Sequence, residues 1–277
     1  MNQFNLHGLH IDPRLCQHPM DRAVTDKILH FPAVRKVLET ISANSLERVL
    51  RSTYLSNYVQ LTDRNAPRLM RMVDEAVEMF GLPVRPEIYL TRTYDMRATL
   101  MGLETPMLLI SSEIIANANE RELWSLVAST LAGVRTGYAE IRLIDWLMQN
   151  SLGLLPDLAV QALREMIRQW RKCAQLSFDR LNLMVTADFN VTMCSVLADE
   201  TRPEILRRID FTDPDCGVMC QFRELYARKG FLDTTLRHVE AITSGSALYA
   251  ARAMELDKFW RHEYNDLMED YAQEVIA

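Results

Sequence analysis

Apolar residues recur at the 3.6-residue helical period along nearly the whole chain, and the exceptions are gathered between Tyr58 and Ser112. β-Branched and aromatic residues cluster at 58–62. "PEIYLTRT" at 86–93 has strand composition, and "RATLMGLETPMLLISS" predicts two more strands around a turn at 102–106. So few short strands can form one small sheet and nothing larger. The expected fold class is therefore α+β, predominantly α-helical, with one small antiparallel or mixed sheet near the middle. Between the first two strands, residues 66–80 place Leu69, Met70, Met72, Val73, Ala76, Val77 and Phe80 on one broad helix face, and Gly81 with Pro83 supplies the stop. Residues 21–52 and everything after Ser112 are helical in period, with breaks near 153–156, Asp188, 202–203, 213–217, Gly230 and 244–246.

With 277 residues and 48% hydrophobic content the chain can fill a substantial core. It has no internal repeat, low-complexity tract or long linker. One domain over 18–277 is expected, with a sheet-bearing part (18–118), a helical part (119–277) and an N-terminal extension (1–17). The net charge of −6 gives the molecule as a whole no attraction to nucleic acid or an anionic membrane. Basic "RQWRK" at 168–172 alternates with apolar positions and reads as a solvated helix face. Five scattered cysteines are expected to stay reduced. The first residues lack the pattern of a secretory leader. The most apolar window, 143–163, is interrupted by Asp145, Gln149, Asn150, Pro156 and Asp157, too often for a membrane span. A soluble, cytoplasmic protein is the expectation.

The stretch "ELWSLVASTLAGVRTG", 122–137, is unusual within this helical part. Leu123, Leu126, Val127, Leu131 and Val134 recur at helical spacing, and Asn119 with Glu122 forms an N-x-x-E capping box. As one helix it would carry Ser129, Gly133 and Gly137 on a stripe nearly bare of side chains. Each glycine inside a helix costs about 1 kcal/mol relative to alanine, so close packing should compensate.

Several segments in this order resemble the HtpX-like zinc metallopeptidases, gluzincins related to the CAAX endopeptidases. They are "HPMDRA" at 18–23, the strand "PEIYL", the hairpin "RATLMGLETPMLLISSEII", the helix "ERELWSLVASTLAGVRTGYAE" and "RKCAQLSFDRLNLMVT". The resemblance covers about 16–186 and implies a zincin-like fold. In such enzymes the helix reads "ELrfVLGHELGHiksGH", and a later one reads "E-L-S-A-D-R". Laid on this pattern, Ser129 stands at the first zinc-binding histidine, Thr130 at the catalytic glutamate and Gly133 at the second histidine. Gln175 stands at the third ligand, and Ser246 at a histidine the family often has in a "T-H-P-x-P" segment. Asp179, Arg180, Arg252 and Glu255 are kept.

Catalytic zinc on such a helix needs two imidazoles four residues apart, a carboxylate from a second helix and a general base beside the metal-bound water. Serine and glutamine are poor zinc ligands, glycine has no side chain, and threonine is no base at neutral pH. The resemblance therefore implies a pseudopeptidase that has lost zinc, has no cofactor and acts by binding a protein or peptide. Filling of the old cavity by a neighbouring helix is favoured over an open cleft lined by Ser129, Thr130, Gln175, Asp179 and Arg252. The sheet edge is a further place for an extended segment. Three alternatives stay open: a zinc endopeptidase with non-standard ligands such as His18 or Cys16, another hydrolase in the remodelled cleft, and an assembly subunit, which would form a homo-oligomer. The spacing of His7, His10, Cys16 and His18, H-x2-H-x5-C-x-H, supports no zinc site, and they read as incidental residues of a mobile segment. Cys216 and Cys220 read as two buried thiols.

Overall fold

Four short strands form a mixed sheet in the order β1-β2-β4-β3. They are β1 (Val59–Leu61), β2 (Glu87–Thr91), β3 (Ala98–Met101) and β4 (Met107–Ser111). β1 runs antiparallel to β2, β2 parallel to β4, and β3 antiparallel to β4. The computed structural model describes residues 10–43, 46–92, 97–150, 157–198, 203–227 and 249–276. The β3–β4 turn is tied to a helix that precedes the sheet. Glu47 accepts hydrogen bonds from the backbone N–H groups of Leu103, Glu104 and Thr105, each at 3.0 Å. Gly102 has φ +126°, and a Cβ there would stand 2.9 Å from both Glu47 Oε1 and Thr105 O, so only glycine fits this turn.

The sheet is buried on both faces because its apolar residues alternate. Ile88, Leu100, Leu108 and Ile110 belong to one core, whereas Tyr89, Met101, Met107 and Leu109 belong to another. Before β1 come α1 (Pro13–Cys16), α2 (Pro19–Leu29), α3 (Pro32–Ala43) and α4 (Leu46–Asn57), and α5 (Pro67–Met79) follows β1. After the sheet come α6 (Ser112–Asn117), α7 (Glu120–Leu131), α8 (Tyr138–Gln149), α9 (Asp157–Thr186), α10 (Phe189–Leu197), α11 (Pro203–Leu206), α12 (Gly217–Ala227), α13 (Tyr249–His262) and α14 (Tyr264–Ile276). The first core joins residues of α5, α7, the later part of α9, α10, α13 and α14. The second joins α2, α3, α4, α8 and the earlier part of α9, where Leu163, Met166, Ile167, Trp170 and Ala174 are buried. α9 serves both because its 30 residues extend about 45 Å.

The α+β class with a small central sheet is as expected, and the sheet is the mixed form. The helical run at 21–52 is divided: His30 caps α2, and Pro32, whose ring fixes a helical φ, opens α3. Three expectations are corrected. First, 122–137 is not one helix. α7 ends at Leu131, a 3₁₀ turn covers Ala132–Val134, and Gly137 has φ +79° at the start of α8. Ser129, Gly133 and Gly137 therefore do not share a helical stripe. Second, the segment from Ile11 onward is packed, not mobile: Ile11 N–H donates to Met79 O at 2.8 Å, and Ile11 and Cys16 lie in the first core. Third, Cys216 is buried but Cys220 is exposed. The expected breaks at 153–156, Gly230 and 244–246 lie outside the described residues. Among the described residues, no helix is long and apolar enough to cross a membrane.

Candidate functional site

α7 begins with the capping box expected of it. Asn119 Oδ1 accepts from Glu122 N–H, and Glu122 Oε2 accepts from Asn119 N–H, both at 3.0 Å. The helix is then bonded to α9 side by side, with Ser125 Oγ donating to Asn182 Oδ1 at 2.6 Å and Trp124 Nε1 to Val185 O at 3.1 Å. These bonds fix the α7–α9 junction on which the zinc positions of the resemblance fall.

At that junction Ser129 and Thr130 are 1% and 5% exposed. Both hydroxyls turn back to their own helix, donating to Leu126 O at 3.3 and 2.6 Å. A Cβ on Gly133 would stand 3.1 Å from Tyr138 Cβ and 3.2 Å from Leu100 Cδ2, so side-chain volume from β3 and α8 already occupies that place. The Tyr138 ring packs edge-on against Phe178 at 4.7 Å between centroids and lies 5.1 Å from Trp170, both on α9. Phe178 itself stands where the family motif carries alanine. The Gly137 backbone turns under Leu29 and Thr25 of α2, whose side chains lie 2.7 and 3.1 Å from its would-be Cβ.

Gln175 is half-buried on α9, one helical turn before Asp179. Asp179 and Arg252 face each other, with Arg252 Nε donating to Oδ2 at 2.8 Å and Nη2 to Oδ1 at 2.7 Å. Both are buried, so this bidentate pair joins α9 to α13 and does not stand in an open cleft. Arg180 lies with its guanidinium 4.5 Å from the centre of the Phe259 ring and donates to Glu263 at 3.0 Å. Ser246 and His7 lie outside the described residues.

The "HPMDRA" entry docks on the same stretch of α9. His18 caps α2, its Nδ1 accepting from Met20 N–H at 3.2 Å, and its Nε2 lies 3.6 Å from Glu255 Oε2. His18 N–H donates to Ser177 Oγ at 2.9 Å, and that hydroxyl donates to Asp21 Oδ2 at 2.6 Å. Burial raises the Asp21 pKa against the opposing hydrogen bonds from Ser177, Gln17 and Thr25. His10 is exposed. Cys16 is fully buried, and burial pushes its thiol up to about 12, which leaves a protonated, weakly nucleophilic sulfur at neutral pH.

Zinc does not fit this donor set. Ser129 and Thr130 are turned away and hydrogen-bonded, Gly133 offers nothing, and an aromatic pair fills the space beside it. Among the described residues, no group of three or more His, Cys, Asp or Glu side chains is arranged to hold a metal ion.

Beside the junction lies a polar cluster that sequence reasoning missed. Asp145, 3% exposed on α8, accepts from Arg142 Nη1 at 3.0 Å, from Arg171 Nη2 at 2.6 and 2.8 Å, and from Gln149 Nε2 at 3.0 Å. Arg142 Nε reaches Thr99 Oγ1 on β3 at 3.3 Å, and burial raises the pKa of Tyr138, which opens α8. Arg171 belongs to the "RQWRK" segment. Its solvated face thus includes an arginine committed to a buried carboxylate. The available hint was Asp145 itself, a charge at an apolar-period position with Arg142 three residues before it.

A separate cleft of about 370 Å³ opens at the other end of α7, lined by Asn119, Glu122, Asp188, Asn190, Cys194 and Arg207 among others. None of Ser129, Thr130, Gln175, Asp179 and Arg252 lines it. Its charges are largely paired: Arg207 with Glu122 at 2.6 Å and Asp188 with Arg121 at 2.9 Å.

No family model, curated protein or solved structure matches the chain.

Proposed function

We propose that this chain is a metal-free, non-hydrolytic protein on an HtpX-like, gluzincin-type scaffold, and that it works by holding an extended segment of a protein or peptide. The observation that carries the proposal is the packing of Tyr138 against Gly133 and Phe178, at the place where the resemblance puts the second zinc-binding histidine. Ser129, Thr130 and Gln175 supply neither a strong ligand nor a general base there. The scaffold keeps the parts that shape such a domain: the hairpin, the α7–α9 junction and the Asp179–Arg252 pair.

A panel of immobilised unstructured peptides incubated with the full chain tests this, with cleavage followed by mass spectrometry on the same panel in added zinc. The expected result is that some peptides are retained and none is cut. Zinc-dependent cleavage, lost on chelation, would overturn the proposal.

A further inference from the structure

We infer that Arg142 and Arg171, held on buried Asp145 beside the edge strand β3, form a docking site for an acidic extended peptide. This names the partner's chemistry within the binding role proposed above and rests on it. One carboxylate stands between two guanidiniums, so the cluster keeps a surplus positive charge. Arg171 uses Nε and Nη2 on Asp145, and Arg142 uses Nη1 on Asp145 and Nε on Thr99. Nη1 of Arg171 and Nη2 of Arg142 have no hydrogen bond to protein among the described residues. The two side chains are 38% and 21% exposed, so these amino groups reach solvent while the guanidiniums are fixed from beneath. Most of the freedom an arginine loses on binding an anion is already lost here, which favours a second carboxylate.

The surroundings extend the same charge. Arg164, Arg168, Arg171 and Gln175 recur at i, i+4, i+7 and i+11 and so share one face of α9. Arg164 is exposed, and Arg168 pairs with Glu165 at 2.7 Å. This face and the cluster together hold four positive charges against two negative, on a chain whose net charge is −6. A short acidic segment meets the local positive field. A long polyanion such as nucleic acid, with a charge about every 1.7 Å of duplex, also meets the repulsion of the rest of the molecule. Buried Thr99 holds Arg142 from the sheet side, so an aspartate or glutamate of an extended segment meets the two arginines from the solvent side.

Fluorescence anisotropy with the full chain tests the inference, using labelled Asp/Glu-rich, Lys-rich and uncharged Ser-rich peptides of equal length and a single-stranded oligonucleotide. The acidic peptide alone is expected to bind, and more weakly as salt rises. The triple variant R142Q/D145N/R171Q removes the surplus charge without stranding a buried carboxylate, and should weaken binding about tenfold. The surface pair R164Q/R168Q leaves the buried cluster intact and should weaken it by a smaller factor. Unchanged affinity in both variants, or tighter oligonucleotide binding through the same arginines, would overturn the inference. Uncharged peptides bound equally by wild type and variants would overturn it while leaving the binding role standing. Failure to bind any peptide would remove both.

Discussion

Asp179 and Asp145 are both buried carboxylates that hold arginines, and they do so in opposite ways. Among the described residues, Asp179 on α9 holds one arginine, Arg252, with side chains 3% and 10% exposed. Asp145 on α8 meets both Arg142 and Arg171, and those arginines reach solvent. The first pair is balanced and closed, so it fixes how α13 lies on α9 and has no charge left for a ligand. The second is unbalanced and open on one side. Both members of the first pair stand at positions that resemble a peptidase motif, yet their role here is architectural. The second cluster, outside every motif, carries the exposed chemistry.

The largest effect that separates the two is expected at Arg252. Arg252→Ala strands Asp179 as a buried charge and should cost about 3–5 kcal/mol in urea unfolding. Gly137→Ala comes next: it forces a side chain into a left-handed backbone position and against Leu29, and about 1–3 kcal/mol is expected from the same measurement. Arg171→Gln leaves Asp145 with Arg142 and Gln149, and the bond it removes is partly screened by solvent. About 1 kcal/mol or less is expected, and a loss equal to that of Arg252→Ala would break the contrast.

The smallest effect is a pH dependence at Glu140 on α8. Its Oε2 is shut from solvent and has no hydrogen-bond partner among the described residues, and burial raises its pKa. The folded protein then binds a proton that the unfolded chain has released. Stability from this group therefore falls as pH rises from the unfolded value to the folded one, and stays reduced above it. Glu140→Gln should raise the melting temperature at neutral pH, with the gain shrinking as pH falls toward the usual carboxylate range. A gain independent of pH would contradict this assignment.

The elements were legible because they depend on local pattern. The strand blocks at 58–62, 86–93 and 97–112 match β1 to β4, and the capping box at Asn119 and Glu122 is formed as written in the sequence. The end of α7 was not legible, because apolar spacing continues past Leu131. Gly133 and Gly137 gave the hint there, since a helix carrying both pays for them twice and a turn pays for neither. The role of Arg171 was hidden for another reason. Its local context is that of a solvated helix, and the carboxylate it serves lies 26 residues earlier on a different helix. Placement of Asp179 opposite Arg252 across 73 residues is likewise tertiary information. The resemblance marked those two as candidates for a cleft, and only the packed arrangement pairs them with each other.

The most direct measurement of the central claim is zinc content by plasma mass spectrometry. The full chain should be purified without a metal-affinity tag, equilibrated with added zinc and desalted before analysis. Packing of Tyr138 against Gly133 and Phe178, with the Ser129 and Thr130 hydroxyls bonded to their own helix, predicts zinc well below one ion per chain. One tightly held zinc per chain, lost together with stability on chelation, would contradict it.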